Sequence, residues 1–124
     1  MAPAALTRCP VLIVEDDAEL RDMMSHLLEL EGFHASTVSN GAEALRYLHG
    51  GDTPDVILLD LMMPIMDGWE FRRRQASNPA IANVPVIVLS TLDQARAANV
   101  SAEAFLKKPL DFDRLLQLVR QYCR

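Results

Sequence analysis

The sequence predicts an α/β domain built on a five-stranded parallel sheet, wound on both faces by helices. Short apolar, β-branched segments alternate with amphipathic segments along most of the 124 residues. Wholly apolar strands are typical of parallel sheets that helices cover on both faces. Right-handed crossovers and short connections then favour a doubly wound arrangement. Half of the residues are hydrophobic, which is enough for one domain with its own core.

Five segments have the composition of strands. They are residues 10–14, 33–38, 56–59, 84–89 and 104–106. The second segment alternates only weakly between apolar and polar residues, so we expect a less buried strand there. Pro85 lies among the first residues of the fourth segment, where a strand loses no ladder hydrogen bond.

The segments between these strands predict the helices. The first begins at Asp17 as N-cap, carries Leu and Met at helical spacing as far as Glu31, and ends at Gly32. Further helices are expected over residues 42–48, 69–75, 93–98 and 112–122, the last with Asp111 as its cap. Residues 39–41 offer capping groups for the second helix.

Composition excludes several classes of protein. The formal net charge is −5 and the pI about 5.1, so there is no basic excess for binding nucleic acid. No apolar run approaches the length of a membrane span, so no membrane insertion is expected. Residues 1–9 lack the apolar core of a signal peptide and are expected to be a short tail before a single domain over residues 10–124.

The two cysteines, Cys9 and Cys123, form no CxxC pair and no Cys/His cluster. They therefore indicate neither a disulfide framework nor a zinc site, and a reducing cytoplasm is the expected location. The predicted topology places both at the edge of the sheet opposite the strand-end residues described next. Whether they meet stays open at this stage.

Ionisable or hydrogen-bonding side chains follow four of the five predicted strands. Glu15 and Asp16 follow the first strand, Asp60 the third, Ser90 and Thr91 the fourth, and Lys108 the fifth. Carboxyl ends of parallel strands share one edge, where ligands bind in doubly wound sheets. Three neighbouring carboxylates repel one another, and Mg²⁺ relieves the repulsion because it prefers oxygen ligands and shares its shell with phosphate. A hydroxyl at the end of the fourth strand, the ammonium of Lys108 and Asp60 as nucleophile supply the other groups that phosphoryl transfer requires.

Four motifs, in this order, resemble the receiver domain of bacterial two-component response regulators, including the chemotaxis regulators. They are residues 14–17 (Val-Glu-Asp-Asp), 60–68 (Asp-Leu-Met-Met-Pro-Ile-Met-Asp-Gly), 85–90 (Pro-Val-Ile-Val-Leu-Ser) and 105–109 (Phe-Leu-Lys-Lys-Pro). The resemblance spans residues 10 to about 122. It implies a flavodoxin-like strand order of 2-1-3-4-5 and a function as a phosphoacceptor switch in a phosphorelay.

The resemblance also implies a metal site. Asp60 would be the phosphoacceptor, Asp16 a direct ligand of Mg²⁺ (or Mn²⁺), and Glu15 the holder of a metal-bound water. Met62 would supply a backbone carbonyl to the metal, so the nature of its side chain matters little for that role.

Further roles follow from the same resemblance. Ser90 would donate a hydrogen bond to the phosphoryl group and move toward it. Lys108 would contact the phosphoryl group as a point charge, and Pro109 often follows such a lysine through a cis bond. Phe105 would be the switch aromatic, turning inward when Ser90 moves.

Expected partners are a sensor histidine kinase or a histidine phosphotransfer protein as donor, and a downstream protein target. We expect no enzymatic activity beyond assistance to the chain's own phosphoryl transfer and slow dephosphorylation. No output chemistry is visible, so the chain is interpreted as a stand-alone receiver or as a receiver from a larger protein.

The sequence departs from the family pattern in two places. The stretch from Ser90 to Lys108 is about four residues, roughly one helical turn, shorter than usual, which predicts a shortened fourth helix and an altered output face. Met62 and Leu92 are apolar where polar side chains often orient water. We therefore predict slow self-hydrolysis of the acyl phosphate, and a phosphorylated lifetime of seconds with Mg²⁺ present would contradict this.

Three alternative functions are compatible with the predicted topology. An aspartate-nucleophile phosphatase needs an acid two residues after the nucleophile, where this chain has Met62. A flavin-binding domain of the same topology needs a Ser/Thr/Gly-rich loop after the first strand, where this chain has acids at residues 15–17. A pseudo-receiver that serves only as a protein-interaction module is the third alternative, and the complete set of acids, hydroxyl and lysine argues against it.

Overall fold

The computed structural model describes residues 8–91 and 99–123. Their elements are β1 (Pro10–Val14), α1 (Ala18–Leu30), β2 (His34–Val38), α2 (Gly41–His49), β3 (Val56–Asp60), α3 (Gly68–Ala76), β4 (Val86–Ser90), β5 (Ala104–Lys107) and α4 (Phe112–Tyr122). The short helix expected over residues 93–98, and with it the shortened fourth helix of the family pattern, lies outside the described residues. Among the helices of the described residues, none combines the length and apolarity needed to cross a membrane.

The five strands form one parallel sheet in the order β2-β1-β3-β4-β5. This confirms the predicted fold class and strand order. Val11 is paired with Val56 across β1 and β3, and Ile57 with Val86 across β3 and β4. Because β1, β3 and β4 lie side by side in the middle of the sheet, their carboxyl ends meet at one edge.

Alternate residues of the central strands point to opposite faces of the sheet. In β3, Val56 and Leu58 pack on one face together with α1 and α4, whereas Ile57 and Leu59 pack on the other face with α2 and α3. All four side chains are fully buried. The wholly apolar composition of β3 therefore follows from its burial on both faces. The edge strand β2 is largely half-exposed, as its weaker pattern predicts.

Side-chain caps begin each helix in the described residues. The carboxylate of Asp17 accepts hydrogen bonds from the first turn of α1, and that of Asp111 does the same for α4, which confirms both predicted caps. Asn40 caps α2. Asp67 caps α3 by accepting the N–H of Glu70 at 2.9 Å, a role the sequence analysis did not assign to it.

Arg8 and Cys9, which precede the predicted start of the domain at residue 10, both contact it. Arg8 forms an ion pair with Glu29 and donates a hydrogen bond to the carbonyl of Phe33 at 2.8 Å. Cys9 forms a disulfide with Cys123, with the two Cα atoms 5.7 Å apart. The open question about the cysteines is thus answered: they meet, and they join the start of β1 to the end of α4. The sequence pattern indicated no disulfide because the two cysteines are 114 positions apart and meet only when the domain is folded.

Candidate functional site

The carboxyl ends of the central strands bring four of the predicted site residues together. One carboxylate oxygen from each of Glu15, Asp16 and Asp60 lies within 4.8 Å of the other two. The Nζ of Lys108 lies 2.7 Å from Oε1 of Glu15 and 3.5 Å from Oδ1 of Asp60. Residues from three separate strands therefore form one ionic cluster, although Glu15 and Lys108 are 93 positions apart in the chain.

Glu15 is the most deeply buried member of this cluster, with no exposed surface. Its Oε1 accepts the hydrogen bond from Lys108, and its Oε2 accepts the backbone N–H of Asp17 at 3.1 Å. Its carbonyl oxygen accepts a hydrogen bond from Nη1 of Arg21 at 2.9 Å. A buried carboxylate is tolerated only when it is paired and hydrogen-bonded, and these contacts satisfy both conditions.

Arg21 has a positioning contact that the sequence analysis missed. It lies in the first turns of α1, four residues after the cap Asp17, so its side chain reaches back to the end of β1. The signal that could have found it is this spacing, because residues four apart share one face of a helix.

Asp60 is the last residue of β3 and only 4% exposed. Its Oδ1 accepts the backbone N–H of Met62 at 3.3 Å. Burial raises the pKa of Asp60 from 3.8 to about 8, and the negative charge of Glu15 adds to this rise, whereas Lys108 lowers it. Without a cation, burial and the charge of Glu15 therefore favour the protonated form of Asp60.

Lys108 keeps its positive charge inside the cluster. Burial alone would lower the pKa of Lys108, but the hydrogen bond to Glu15 and the charges of Asp60 and Glu15 raise it above the ordinary value. The backbone N–H of Lys108 donates to the carbonyl of Ser90 at 2.8 Å, and the Lys108–Pro109 bond is cis. The ammonium group is therefore held beside Asp60 by the end of β4 as well as by Glu15.

The donors of this cluster fit a hard divalent cation. They are all carboxylate oxygens, they come from one exposed residue, Asp16, and two buried ones, and they lie close enough to share one ion. Mg²⁺ and Mn²⁺ prefer oxygen ligands, whereas zinc sites usually include nitrogen or sulfur. A bound cation would also remove the repulsion that keeps a proton on Asp60.

The remaining predicted site residues lie around this cluster. Ser90 is buried at the end of β4, one residue beyond Leu89, which is paired with Asp60. Phe105 lies on β5 opposite Val88 and is 42% exposed. The structure thus places Ser90 next to the cluster and Phe105 at the outer edge of the sheet, and their roles stay predictions. The role of the Met62 carbonyl as a metal ligand also stays a prediction. Leu92, the other apolar residue expected near the site, lies outside the described residues.

The loop after Asp60 is held tightly against the site. The N–H of Gly68 donates to the carbonyl of Leu61 at 3.0 Å, and a Cβ at Gly68 would lie 2.7 Å from the carbonyl oxygen of Asp60. Only glycine permits this approach, so Gly68 fixes the loop to the end of β3. Within the loop, Ile65 has a φ of 70° and is 84% exposed, an unusual backbone conformation for a β-branched residue.

The arginines of α3 take no part in the cluster. Arg73 and Arg74 form ion pairs with Glu70 one turn earlier, and both are exposed. Nε of Arg72 donates to the carbonyl of Ser101 at 2.7 Å, which ties α3 to the segment before β5. The two ion pairs lie on the exposed face of α3.

Comparisons with known proteins agree with the geometry. The sequence model of the response regulator receiver domain family matches residues 11–120. The chain is 35% identical over 118 residues to the CpxR homolog of Haemophilus influenzae, described as a transcriptional regulatory protein, with 92% of this chain and 50% of that protein covered. The chain spans about half the length of several curated relatives that it matches.

Solved structures show the same architecture. The receiver domain of a signal transduction histidine kinase from Syntrophus aciditrophicus superposes with a TM-score of 0.85 at 33% identity, covering 92% of this chain and 89% of that one. The chemotaxis response regulator CheY4 of Vibrio cholerae superposes with a TM-score of 0.84 at 30% identity, covering 94% of this chain and 99% of that one. Both structural similarities extend over nearly the whole chain.

Proposed function

Because the chain belongs to the response regulator receiver domain family, we propose that it is a phosphoacceptor switch of a two-component phosphorelay. A sensor histidine kinase or a histidine phosphotransfer protein donates the phosphoryl group to Asp60. The phosphorylated chain then binds a downstream protein target with altered affinity. The work of the chain is stoichiometric signalling, without turnover of a separate substrate.

The observation that carries this proposal is the setting of Asp60. Its carboxylate is fixed at the end of a fully buried strand, 3.5 Å from an ammonium group and beside two further acids. In the proposed step an Asp60 oxygen attacks phosphorus in line, an acyl phosphate bond forms, and the bond between phosphorus and the donor's imidazole nitrogen breaks. Such a transfer depends on positioning and on neutralising the charge of the equatorial oxygens.

The cation is proposed to be Mg²⁺ or Mn²⁺, held by Glu15, Asp16, Asp60 and the carbonyl of Met62. When bound, it neutralises charge on the phosphoryl oxygens and allows Asp60 to stay ionised at neutral pH. Asp16 is exposed and accessible to a hydrated ion, whereas Glu15 is already engaged by Lys108 and by the N–H of Asp17. This supports the assignment of Glu15 to the outer shell of the ion, through a bound water.

Lys108 and Ser90 are proposed to receive the phosphoryl group. The ammonium of Lys108 lies between two carboxylates and can follow the new negative charge with a small rotation of its side chain. The Ser90 hydroxyl donates a hydrogen bond to a phosphoryl oxygen. Both residues sit on adjacent strand ends joined by the bond between the Lys108 N–H and the Ser90 carbonyl.

Phe105 is proposed as the switch aromatic. It is half exposed on β5, next to β4, so a movement of Ser90 toward the phosphoryl group opens space in which the ring can turn inward. Such a rotamer change alters the surface around β5 and reaches a partner without unfolding the domain. A ¹⁹F label on the Phe105 ring should report a less solvent-exposed ring after phosphorylation.

The remaining features of the proposal concern location and output. We assign the chain to the cytoplasm, where histidine kinases present their phosphorylated domains. Its net charge of −5 gives no overall basic excess for nucleic acid, and we propose that the direct target is a protein. The apolar side chain of Met62, which is 56% exposed beside Asp60, leaves water poorly oriented for hydrolysis, and we expect a phosphorylated lifetime longer than seconds.

The test is incubation with acetyl phosphate, with and without Mg²⁺, followed by intact mass measurement. The wild-type chain should gain one phosphoryl group when Mg²⁺ is present, and Asp60→Asn should gain none. Asp52→Asn is the matched control, because Asp52 lies in an exposed loop and should leave incorporation unchanged. No gain in the wild-type chain, with acetyl phosphate or with a phosphorylated histidine donor, would reject the switch and favour the pseudo-receiver.

A further inference from the structure

The end of the sheet opposite Asp60 carries a second group of reactive side chains. The disulfide between Cys9 and Cys123 lies there, and a carboxylate oxygen of Asp55 lies within 4.8 Å of both sulfur atoms. We propose that this disulfide is a reversible thiol–disulfide exchange site, reduced by cellular dithiols and re-formed by glutathione-type disulfides, which sets how firmly the two ends of the domain are joined. The choice of these reagents rests on the cytoplasmic location proposed above.

The backbone around both cysteines is held by bonds that do not depend on the disulfide. The carbonyl of Cys9 accepts the N–H of His34 at 2.8 Å, and the N–H of Cys123 donates to the carbonyl of Val119 at 3.1 Å. The two Cα atoms, 5.7 Å apart, are within the range that a disulfide spans without backbone movement. The cysteines therefore stay close together when reduced, which favours re-formation of the bond.

Access to the two sulfur-bearing residues is unequal. Cys9 is 9% exposed beneath the start of β1, whereas Cys123 is half-buried just beyond the last turn of α4. An attacking thiolate therefore reaches Cys123 more easily. In the first step it bonds to Sγ of Cys123, the bond between Cys123 and Cys9 breaks, and Cys9 leaves as a thiolate that takes a proton from water.

The second step completes the exchange. The other thiol of the reductant, as thiolate, attacks the reductant sulfur in the mixed disulfide. Cys123 then leaves as a thiolate that is protonated, and the reductant ends as a disulfide. Two electrons pass from the dithiol to the pair of cysteines, and oxidation by a glutathione-type disulfide is the reverse process.

Asp55 is placed to slow this exchange. Its backbone N–H donates to the carbonyl of Pro10 at 2.8 Å, so the residue is fixed next to the start of β1. Because its negative charge lies close to both sulfur atoms, it disfavours the thiolates that form when the disulfide breaks. We therefore expect Asp55→Asn to accelerate reduction several-fold, and Asp52→Asn to leave the rate unchanged.

Reduction releases a constraint over nearly the whole chain. The two cysteines are 114 positions apart, and a cross-link that closes a long loop restricts the unfolded chain strongly. It also joins a central strand to α4, whose Leu115 and Val119 are buried in the core. The oxidised form is therefore the more stable one.

The exchange site is separate from the phosphoacceptor site. Cys9 precedes β1 and Glu15 follows it, so about six residues of extended strand, roughly 20 Å, lie between the two clusters. Reduction changes neither the charges nor the hydrogen bonds around Asp60. We expect oxidised and reduced chains to accept a phosphoryl group to the same extent.

The test combines redox titration with thermal unfolding. The wild-type chain is equilibrated in glutathione buffers of graded ratio, its free thiols are counted by alkylation and mass measurement, and its Tm is recorded in each state. Oxidised protein should unfold about 10 °C or more above reduced protein. The double variant Cys9→Ser/Cys123→Ser should match reduced wild type and be insensitive to the buffer.

Three results would overturn the proposal. They are two free thiols at every glutathione ratio, a disulfide that native protein never exchanges with a dithiol, and an equal Tm for oxidised and reduced chains. The double serine variant isolates the role of the bond, since it differs from reduced wild type only by oxygen in place of the two sulfur atoms. Failure of phosphorylation at Asp60 leaves these readouts unchanged, so the two proposals fail independently.

Discussion

The two ends of the parallel sheet are stabilised by different chemistry. At the carboxyl end, the buried carboxyl groups of Glu15 and Asp60 lie beside the ammonium group of Lys108. At the amino end, Cys9 and Cys123 form a covalent bond. The strands β1 and β3 connect both ends and are wholly buried apart from Pro10. The same apolar core thus supports one end that responds to protons and cations and another that responds to thiols.

This difference explains where function is located. The charged end is incompletely neutralised, so binding of a cation or transfer of a phosphoryl group changes its energy directly. The disulfide end acts instead on the whole domain, through chain entropy. Perturbations of the two ends should therefore be separable by experiment, and the following predictions run from the largest expected effect to the smallest.

The largest effect is expected from pH in the absence of metal. The folded chain keeps a proton on Asp60 up to about pH 8, whereas an unfolded aspartate releases it near 3.8. The folded state therefore binds more protons between these values, and stability falls as pH rises through that window. Urea unfolding should show that the free energy of unfolding of the wild-type chain falls by on the order of 4 kcal/mol between pH 5 and 8, relative to that of Asp60→Asn.

Addition of Mg²⁺ at pH 8 should recover most of that loss in the wild-type chain. The cation binds the folded state and favours an ionised Asp60, so its stabilising effect should grow with pH. A wild-type chain that parallels Asp60→Asn at every pH would contradict the electrostatic description of the site.

Removal of Lys108 should destabilise the fold through the loss of one ion pair at the charged end. Lys108→Ala leaves Glu15 fully buried without its cation, and breaking a buried pair in this way costs about 3 kcal/mol. Lys107→Ala is the matched control, because Lys107 is exposed and its loss should change stability by less than about 0.5 kcal/mol. Chemical denaturation at pH 7.5 measures both, and equal effects would show that the ion pair contributes nothing.

A substitution at Gly68 should disturb the same end without changing its charge. The Cβ of Gly68→Ala would lie 2.7 Å from the carbonyl oxygen of Asp60 and 2.8 Å from Cα of Leu61, and backbone atoms cannot shift cheaply. We expect the free energy of unfolding to fall by about 2 kcal/mol, measured by chemical denaturation. We also expect slower phosphorylation, measured by intact mass. Gly50→Ala, at a helical φ of −73°, should cost much less, and a similar loss at both positions would argue against a tight approach at residue 68.

The smallest predicted effect is a gain in stability. Ile65 has a φ of 70° and is 84% exposed, so Ile65→Gly relieves backbone strain and removes little packing. The net gain should be about 1 kcal/mol, since strain of 1–3 kcal/mol is partly offset by the greater chain entropy of glycine. Ile65→Ala, which keeps a Cβ, should gain less; destabilisation by Ile65→Gly would mean that the side chain packs in solution.

The charged end was predictable from the sequence because its signal is local. Asp60 directly follows an apolar strand, Glu15 and Asp16 follow another, and the parallel topology brings such strand ends together. What the pattern did not reveal is the pairing inside the cluster. Lys108 binds Glu15 more closely than Asp60, a preference that depends on side-chain geometry across the sheet.

The disulfide end was not predictable because its signal is not local. Cys9 and Cys123 lie at opposite ends of the chain, and their meeting depends on how α4 packs against β1. Gly68 ends the motif over residues 60–68, but its tight contact with Asp60 appears only when the loop closes back on β3. Contacts made by packing between distant segments are thus the part that pattern reasoning leaves open.

The most direct test of the central claim is to locate the phosphoryl group itself. The wild-type chain, phosphorylated with acetyl phosphate and Mg²⁺, is treated with borohydride, which reduces an acyl phosphate on aspartate to homoserine, and its peptides are sequenced by mass spectrometry. Homoserine should appear at position 60 in oxidised and reduced chains alike, and not in Asp60→Asn. Homoserine at another aspartate, or its absence from position 60 in a phosphorylated chain, would contradict the account.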